Sequence, residues 1–148
     1  MATEIPLAEI TLRKYEKPYQ LGKRELVKKI CLSLGLLQAG DSRDVIVDVL
    51  LVLLEARKNK ESLTSDRIKE RVEETRKNNS LEAKGIAESN IRRQLKRLRD
   101  LMIVDKKENL FNISEFASLA EIFSVKIEKF LLPQILERVN EYIRELDK

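Results

Sequence analysis

Ten residues, Val45 to Leu54, read Val-Ile-Val-Asp-Val-Leu-Leu-Val-Leu-Leu and constrain this chain more than any other segment. The run is apolar on nearly every side of a helix, so other elements must surround it rather than cover one face. It is short and holds Asp48, which rules it out as a bilayer span. It reads as a central core helix over residues 42–58. Asp41 or Ser42 would cap its start, and Arg57, Lys58 and Lys60 suit its C-terminal end electrostatically. With 148 residues the chain can bury a real core around such a rod, and only four Gly and three Pro argue for a mainly α protein.

The flanking segments supply what could pack on it. A helix is expected over residues 23–34, with Leu26, Val27, Ile30, Cys31 and Leu34 on one face and Gly35 as its stop. Leu63 falls in a short extended link, and Thr64 or Ser65 starts a surface helix running to Lys77 that leans on the core through Ile68 and Val72. Residues 78–87 read as a loop. Ser89 then caps a further helix, and Ile103-Val104 and Leu110–Ile113 read as strands turning near Lys107, Glu108 and Asn109. Ser118-Leu-Ala-Glu121 is a capping-box pattern opening a C-terminal helix that Pro133 should kink or split near residue 132. Residues 4–20, bracketed by Pro6 and Pro18, fit a short strand or an extended arm.

Several chemistries are excluded by what is missing. The chain has no histidine and one cysteine, so it offers neither a Ser-His-Asp triad, a Cys-His pair nor a zinc site. No catalytic residues, no metal and no cofactor are expected. Asp41, Asp44 and Asp48 could in principle hold a metal, but their place at a helix start is better explained by capping and the helix dipole. Cys31, among Ile30, Leu32 and Leu34, reads as a buried structural thiol. The N-terminus lacks the basic start and long apolar core of a secretory signal. A cytoplasmic protein with no membrane partner is the expectation.

The formal net charge is +4, and residues 88–107 hold seven basic and three acidic groups, whereas residues 108–148 hold five and eight. Such a window is an electrostatic footprint for phosphates. In its helix, residues 89–102, Ile91, Leu95, Leu98 and Met102 fall within an arc of about 60° and face the core. Arg93 lies nearly opposite. An α-helix fits the major groove of B-DNA, where Arg pairs with guanine and Asn or Gln with adenine. Asn90, Arg93, Gln94 and Arg97 are therefore the candidates for base edges. Ser89, Arg92, Lys96, Arg99, Lys106 and Lys107 are the candidates for phosphates, which supply affinity and register.

The succession of three helices and a hairpin over residues 44–113, with the run Ser89-Asn-Ile-Arg-Arg-Gln-Leu-Lys-Arg-Leu-Arg-Asp-Leu-Met-Ile-Val104, resembles the winged helix-turn-helix superfamily. The resemblance implies a winged helix core of three helices and a two-stranded wing (103–113), a recognition helix at 89–102, and a wing tip at Lys106 to Asn109. The link at 78–88 departs from the three- or four-residue turn of a tight helix-turn-helix. Three stretches follow: an N-terminal arm and helix (1–41), the DNA-binding domain (42–114) and a helical dimerisation region (115–148). Their arrangement is similar to that of MarR-like regulators. Leu136, Val139, Ile143 and Leu146, at spacings of 3, 4 and 3, form a seam for a homodimer, or alternatively pack on their own domain. A sequence-specific binder of double-stranded DNA, a transcriptional regulator, is the expected function. The alternative is a winged-helix interaction module in a replication, RNA-processing or transcription complex. No residue identifies a small-molecule effector.

Overall fold

The computed structural model describes residues 4–148. The chain is mainly helical, with one small antiparallel sheet. In order it forms α1 (Lys23–Ser33), α2 (Val45–Lys58), β1 (Leu63–Thr64), α3 (Ser65–Asn78), α4 (Glu88–Asp100), β2 (Val104–Lys107) and β3 (Leu110–Ile113). A 3-10 turn (Ser114–Phe116), α5 (Leu119–Ile122), a π-helical stretch (Phe123–Leu131) and α6 (Leu132–Leu146) complete it.

The apolar run does become the central rod. Val47, Val49, Leu50 and Leu53 of α2 are fully buried, and α1, α3, α4 and β3 pack around them. α2 begins at Val45, three residues later than expected, and Asp44 at its N-cap makes no capping hydrogen bond. Ile68 and Val72 of α3 are buried as the pattern required. In α1 the inward face is Val27, Cys31 and Leu32, while Leu26 is turned outward and exposed. One core joins α1, α2, α3, α4 and the sheet to Ile122 and Leu131 near the C-terminus.

The expected two-stranded hairpin has a third strand. β3 lies in the middle, with β2 on one side (Val104 opposite Ile113, Lys107 opposite Leu110) and β1 on the other (Leu63 opposite Phe111). The segment read as a link therefore adds an edge strand, and Leu63, Phe111 and Ile113 seat that sheet on the core.

Helices α1 to α4 share one ending. After each, two backbone N–H groups return to the last turn: Leu36 to Cys31 and Gly35 to Leu32, Glu61 to Ala56 and Lys60 to Arg57, Leu81 to Arg76 and Ser80 to Lys77, Ile103 to Leu98 and Met102 to Arg99. This is the Schellman arrangement, which needs a left-handed residue just past the helix. Gly35 (φ +72°) fills it once; Lys60, Ser80 and Met102 fill it with side chains. At Gly35 a Cβ would also collide with the Thr11 side chain, because the N-terminal arm lies directly over it. That arm forms no strand. It is held by Arg13, whose backbone N–H donates to Ser33 and whose guanidinium donates to the Leu32 carbonyl (3.0 Å) and Gln38 Oε1 (2.8 Å). Lys29 on α1 adds an ion pair to Glu16 and lies over the Tyr15 ring.

Ser118 caps α5 as its sequence predicted, accepting from the Glu121 N–H at 3.1 Å. Pro133 does not break the helix that follows. Leu131 and Leu132 keep right-handed helical angles, and the Leu132 N–H reaches back five residues to Ile127. Proline removes one donor and crowds the carbonyl four residues earlier. The wider π register just upstream accommodates it, and the change from π to α register falls at Leu132. Among the described residues no helix is long and apolar enough to cross a membrane.

Candidate nucleic-acid interface

α4 is held by its apolar stripe. Ile91, Leu95 and Leu98 are fully buried against α2 and α3. The helix starts at Glu88 rather than Ser89, with Ala87 at the N-cap, and ends at Asp100 rather than Met102. Ser89 is therefore inside the first turn and exposed. The apolar side chain of Met102 belongs to the left-handed residue after the helix, not to its stripe.

One flank of α4 carries a continuous polar ladder. Asn90 Nδ2 donates to the Gly85 carbonyl (2.6 Å), and Gln94 Nε2 donates to Asn90 Oδ1 (3.0 Å). Arg97 Nη1 donates to Gln94 Oε1 (2.9 Å), and its Nη2 donates to the Gly35 carbonyl (3.1 Å). The ladder joins the loop before α4 to the turn after α1. Asn90, Gln94 and Arg97, three of the four residues expected at base edges, are thus half-buried and engaged within the fold. Helical periodicity does not carry this, because the turn that closes over that flank lies 62 positions away in the chain.

The rest of the helix surface, away from the core, is open. Ser89, Arg92, Arg93, Lys96, Arg99 and Asp100 are all exposed along it. Arg92 pairs with Glu88 (2.7 Å) and Lys96 with Asp100 (3.2 Å), each one turn away on the same helix. Such exposed pairs contribute only a few tenths of a kcal/mol, roughly, and exchange readily for a phosphate. Arg93 and Arg99 make no ion pair or hydrogen bond among the described residues. Lys106 and Lys107 lie on β2, both exposed, with Lys106 Nζ 5.7 Å from the Phe111 ring centroid. The hairpin reverses at Glu108, whose φ is +58°. The exposed side of α4 and this hairpin carry an excess of positive charge.

A buried ionic cluster anchors the loop that leads into α4, and no motif in the sequence marked it. Asp48, the lone carboxylate of the apolar run, is fully buried and paired with both Arg24 of α1 and Arg76 of α3. Asp44 takes a second contact from each arginine, at 3.2 and 3.1 Å. Arg76 also donates through Nε to the Glu82 carbonyl (2.6 Å), which pins the long loop between α3 and α4. Burial alone would push the Asp44 carboxyl up, but hydrogen bonds and charge from Arg76 and Arg24 outweigh it and hold the group below its usual range. Desolvation would lower Arg24, but the hydrogen bonds and charge of Asp48, and then of Asp44, outweigh it and raise the guanidinium. Asp44 and Asp48 are thus occupied as ion-pair partners of two arginines rather than as side-chain caps, while Asp41 lies outside the cluster and accepts from the Arg43 N–H at 2.9 Å. The sequence signal was Asp48 itself, since a carboxylate inside a buried helix requires a buried cation.

The remaining candidates lie elsewhere. Leu136, Val139, Ile143 and Leu146 share one face of α6 and are exposed, from 47% at Ile143 to 84% at Leu146. They do not pack on their own domain. Cys31 is fully buried, and burial pushes its thiol up to about 12, so it stays protonated and inert. No family model matches this chain, and comparison with curated proteins and with solved structures found no match.

Proposed function

We propose that residues 42–114 are a winged helix-turn-helix domain that binds double-stranded DNA, and that the chain acts as a homodimeric transcriptional regulator. The observation that carries this reading is that Arg93 and Arg99 are exposed on α4 and unpaired among the described residues, with Arg93 opposite the fully buried face. A helix anchored this firmly on one side can enter a major groove with the other. The exposed Lys106 and Lys107 on the adjoining hairpin add positive charge that supports the reading. Order of elements supports the same reading: three helices around one core, then a hairpin that starts within a few residues of α4. In this reading Arg93 addresses base edges, and Arg92, Lys96, Arg99, Lys106 and Lys107 address phosphates. Asn90, Gln94 and Arg97 orient the helix.

Fluorescence anisotropy with a labelled random-sequence duplex at two salt concentrations tests it. Binding should weaken steeply with salt, because each neutralised phosphate releases counterions. R93A/R99A should lower affinity by roughly ten-fold or more, while K107A should weaken all sequences alike and reduce the salt slope by about one. Unchanged affinity in R93A/R99A removes the assignment of α4. The second reading, a protein-interaction module, is favoured by the exposed apolar face of α6 in an acidic C-terminal region. Absence of duplex binding at low salt would decide for it.

A further inference from the structure

The proposed duplex contacts leave one side of α4 without a cation for phosphate. Around the helix Arg92, Lys96 and Arg99 lie on one flank, Asn90, Gln94 and Arg97 on the other, and Arg93 between them. A helix in the major groove, about 12 Å wide, has a phosphate strand on each side. The ladder residues are engaged within the fold, so a neighbouring element has to meet the strand on their side.

That element is α1, because both ends of the ladder are tied to it. At one end Arg97 donates to the Gly35 carbonyl just after α1. At the other, Asn90 donates to Gly85, which packs beside Val45. The adjacent Asp44 is held by Arg24 near the start of α1. Lys28 lies one turn beyond Arg24 on the same face, between the two ties. It is half-buried and has no ion pair or hydrogen bond among the described residues. A half-buried lysine packs its stem and keeps its ammonium in water. Its positive charge therefore emerges alongside the ladder.

The N-terminal arm continues this strip. Residues 13–29 hold seven basic and two acidic groups, a larger excess than in residues 88–107. The arm runs antiparallel to α1, with Thr11 over Gly35, Arg13 at Ser33 and Glu16 at Lys29. Arg13 and Tyr15 turn inward, to carbonyls and to the core, so Lys14 between them turns outward. Lys14 and Lys17 are exposed and unpaired among the described residues, about 10 Å apart along an extended chain. Of the two carboxylates, Glu16 is taken by Lys29, and Glu25, three residues before Lys28, forms no ion pair with it.

We propose that Lys28, Lys14 and Lys17 form a second phosphate-binding row that meets the DNA strand on the ladder side of α4. The partner is the sugar-phosphate backbone, which ammonium groups address as point charges and without regard to sequence. The inference rests on the duplex reading of α4, and the experiment separates the two. Anisotropy titrations of a labelled duplex over a range of salt compare the native chain, K14Q/K17Q/K28Q and K129Q/R144Q. The last variant removes exposed charge from the C-terminal region. K14Q/K17Q/K28Q should bind roughly ten-fold more weakly and lower the salt slope by about two to three, while K129Q/R144Q keeps the native slope. A native slope in K14Q/K17Q/K28Q overturns the second row and leaves the reading of α4. A native chain that binds no duplex at low salt overturns both. Acetylation of the native chain, read by mass spectrometry, needs no variant: bound duplex should slow labelling of Lys14 and Lys28 and spare Lys129. Equal labelling with and without duplex counts against the row. Protection by vesicles of anionic lipid, but not by duplex, assigns the strip to a membrane surface and overturns the proposal.

Discussion

Asp48 shows how one residue can dictate a neighbourhood. A carboxylate inside an apolar helix is tolerated only when cations meet it, and Arg24 and Arg76 do so from two other helices. Asp44 completes the cluster and gives it a pH dependence whose sign follows from its depressed folded-state pKa. The ionised carboxylate stabilises the fold above the unfolded-state value near 4, and that contribution is lost as the pH falls through the lower folded value. Denaturant unfolding of the native chain and D44N should therefore differ by about 1–3 kcal/mol at neutral pH. The gap should narrow between pH 5 and pH 2.5. A gap that stays constant over that range would mean Asp44 acts through shape alone.

At the scale of elements, the chain spends strain at three helix ends. Lys60, Ser80 and Met102 adopt the left-handed angles that glycine accepts freely. Lys60 is exposed, so K60G removes no packing. It should raise stability by about 0.5–1 kcal/mol, read as a higher urea midpoint at unchanged slope. These ends also mark what could be read from the chain and what could not. The stop at Gly35 was legible because glycine announces it. Those at Ser80 and Met102 were not, since the Schellman bonds are made by backbone and tolerate any residue the fold can hold there. Ala87 likewise starts α4 without a side-chain cap, which is why Ser89 was the natural reading. β1 was illegible for a different reason: two residues carry no periodicity, and pairing with β3 is settled by a contact nearly 50 positions away. The core stripes of α3 and α4 were legible because each follows the helical period, and α2 because its run is apolar nearly all round. The exposed arginines of α4 were too. The ladder through Asn90, Gln94 and Arg97 depends on how α1 closes over α4, which no local pattern carries.

For the whole molecule, the proposed division of labour is a basic body that addresses a polyanion and an acidic rod that addresses its own copy. Opposite charge on the two regions would discourage the rod from lying along the duplex, leaving it free for the other chain. The N-terminal arm also steadies that basic body. Thr11 rests on Gly35, and the carbonyl of that same residue receives Arg97 from α4. Deleting residues 4–20 should therefore quicken amide exchange across residues 85–100, although no arm residue hydrogen-bonds to α4. Equal exchange in the shortened chain would show that Gly35 keeps its place unaided. A single residue without a side chain thus serves as a shared hinge pin: what lifts the arm also loosens the helix that would read a duplex, and a partner that merely grips the first twenty residues would gain a hand on the grip of the rest.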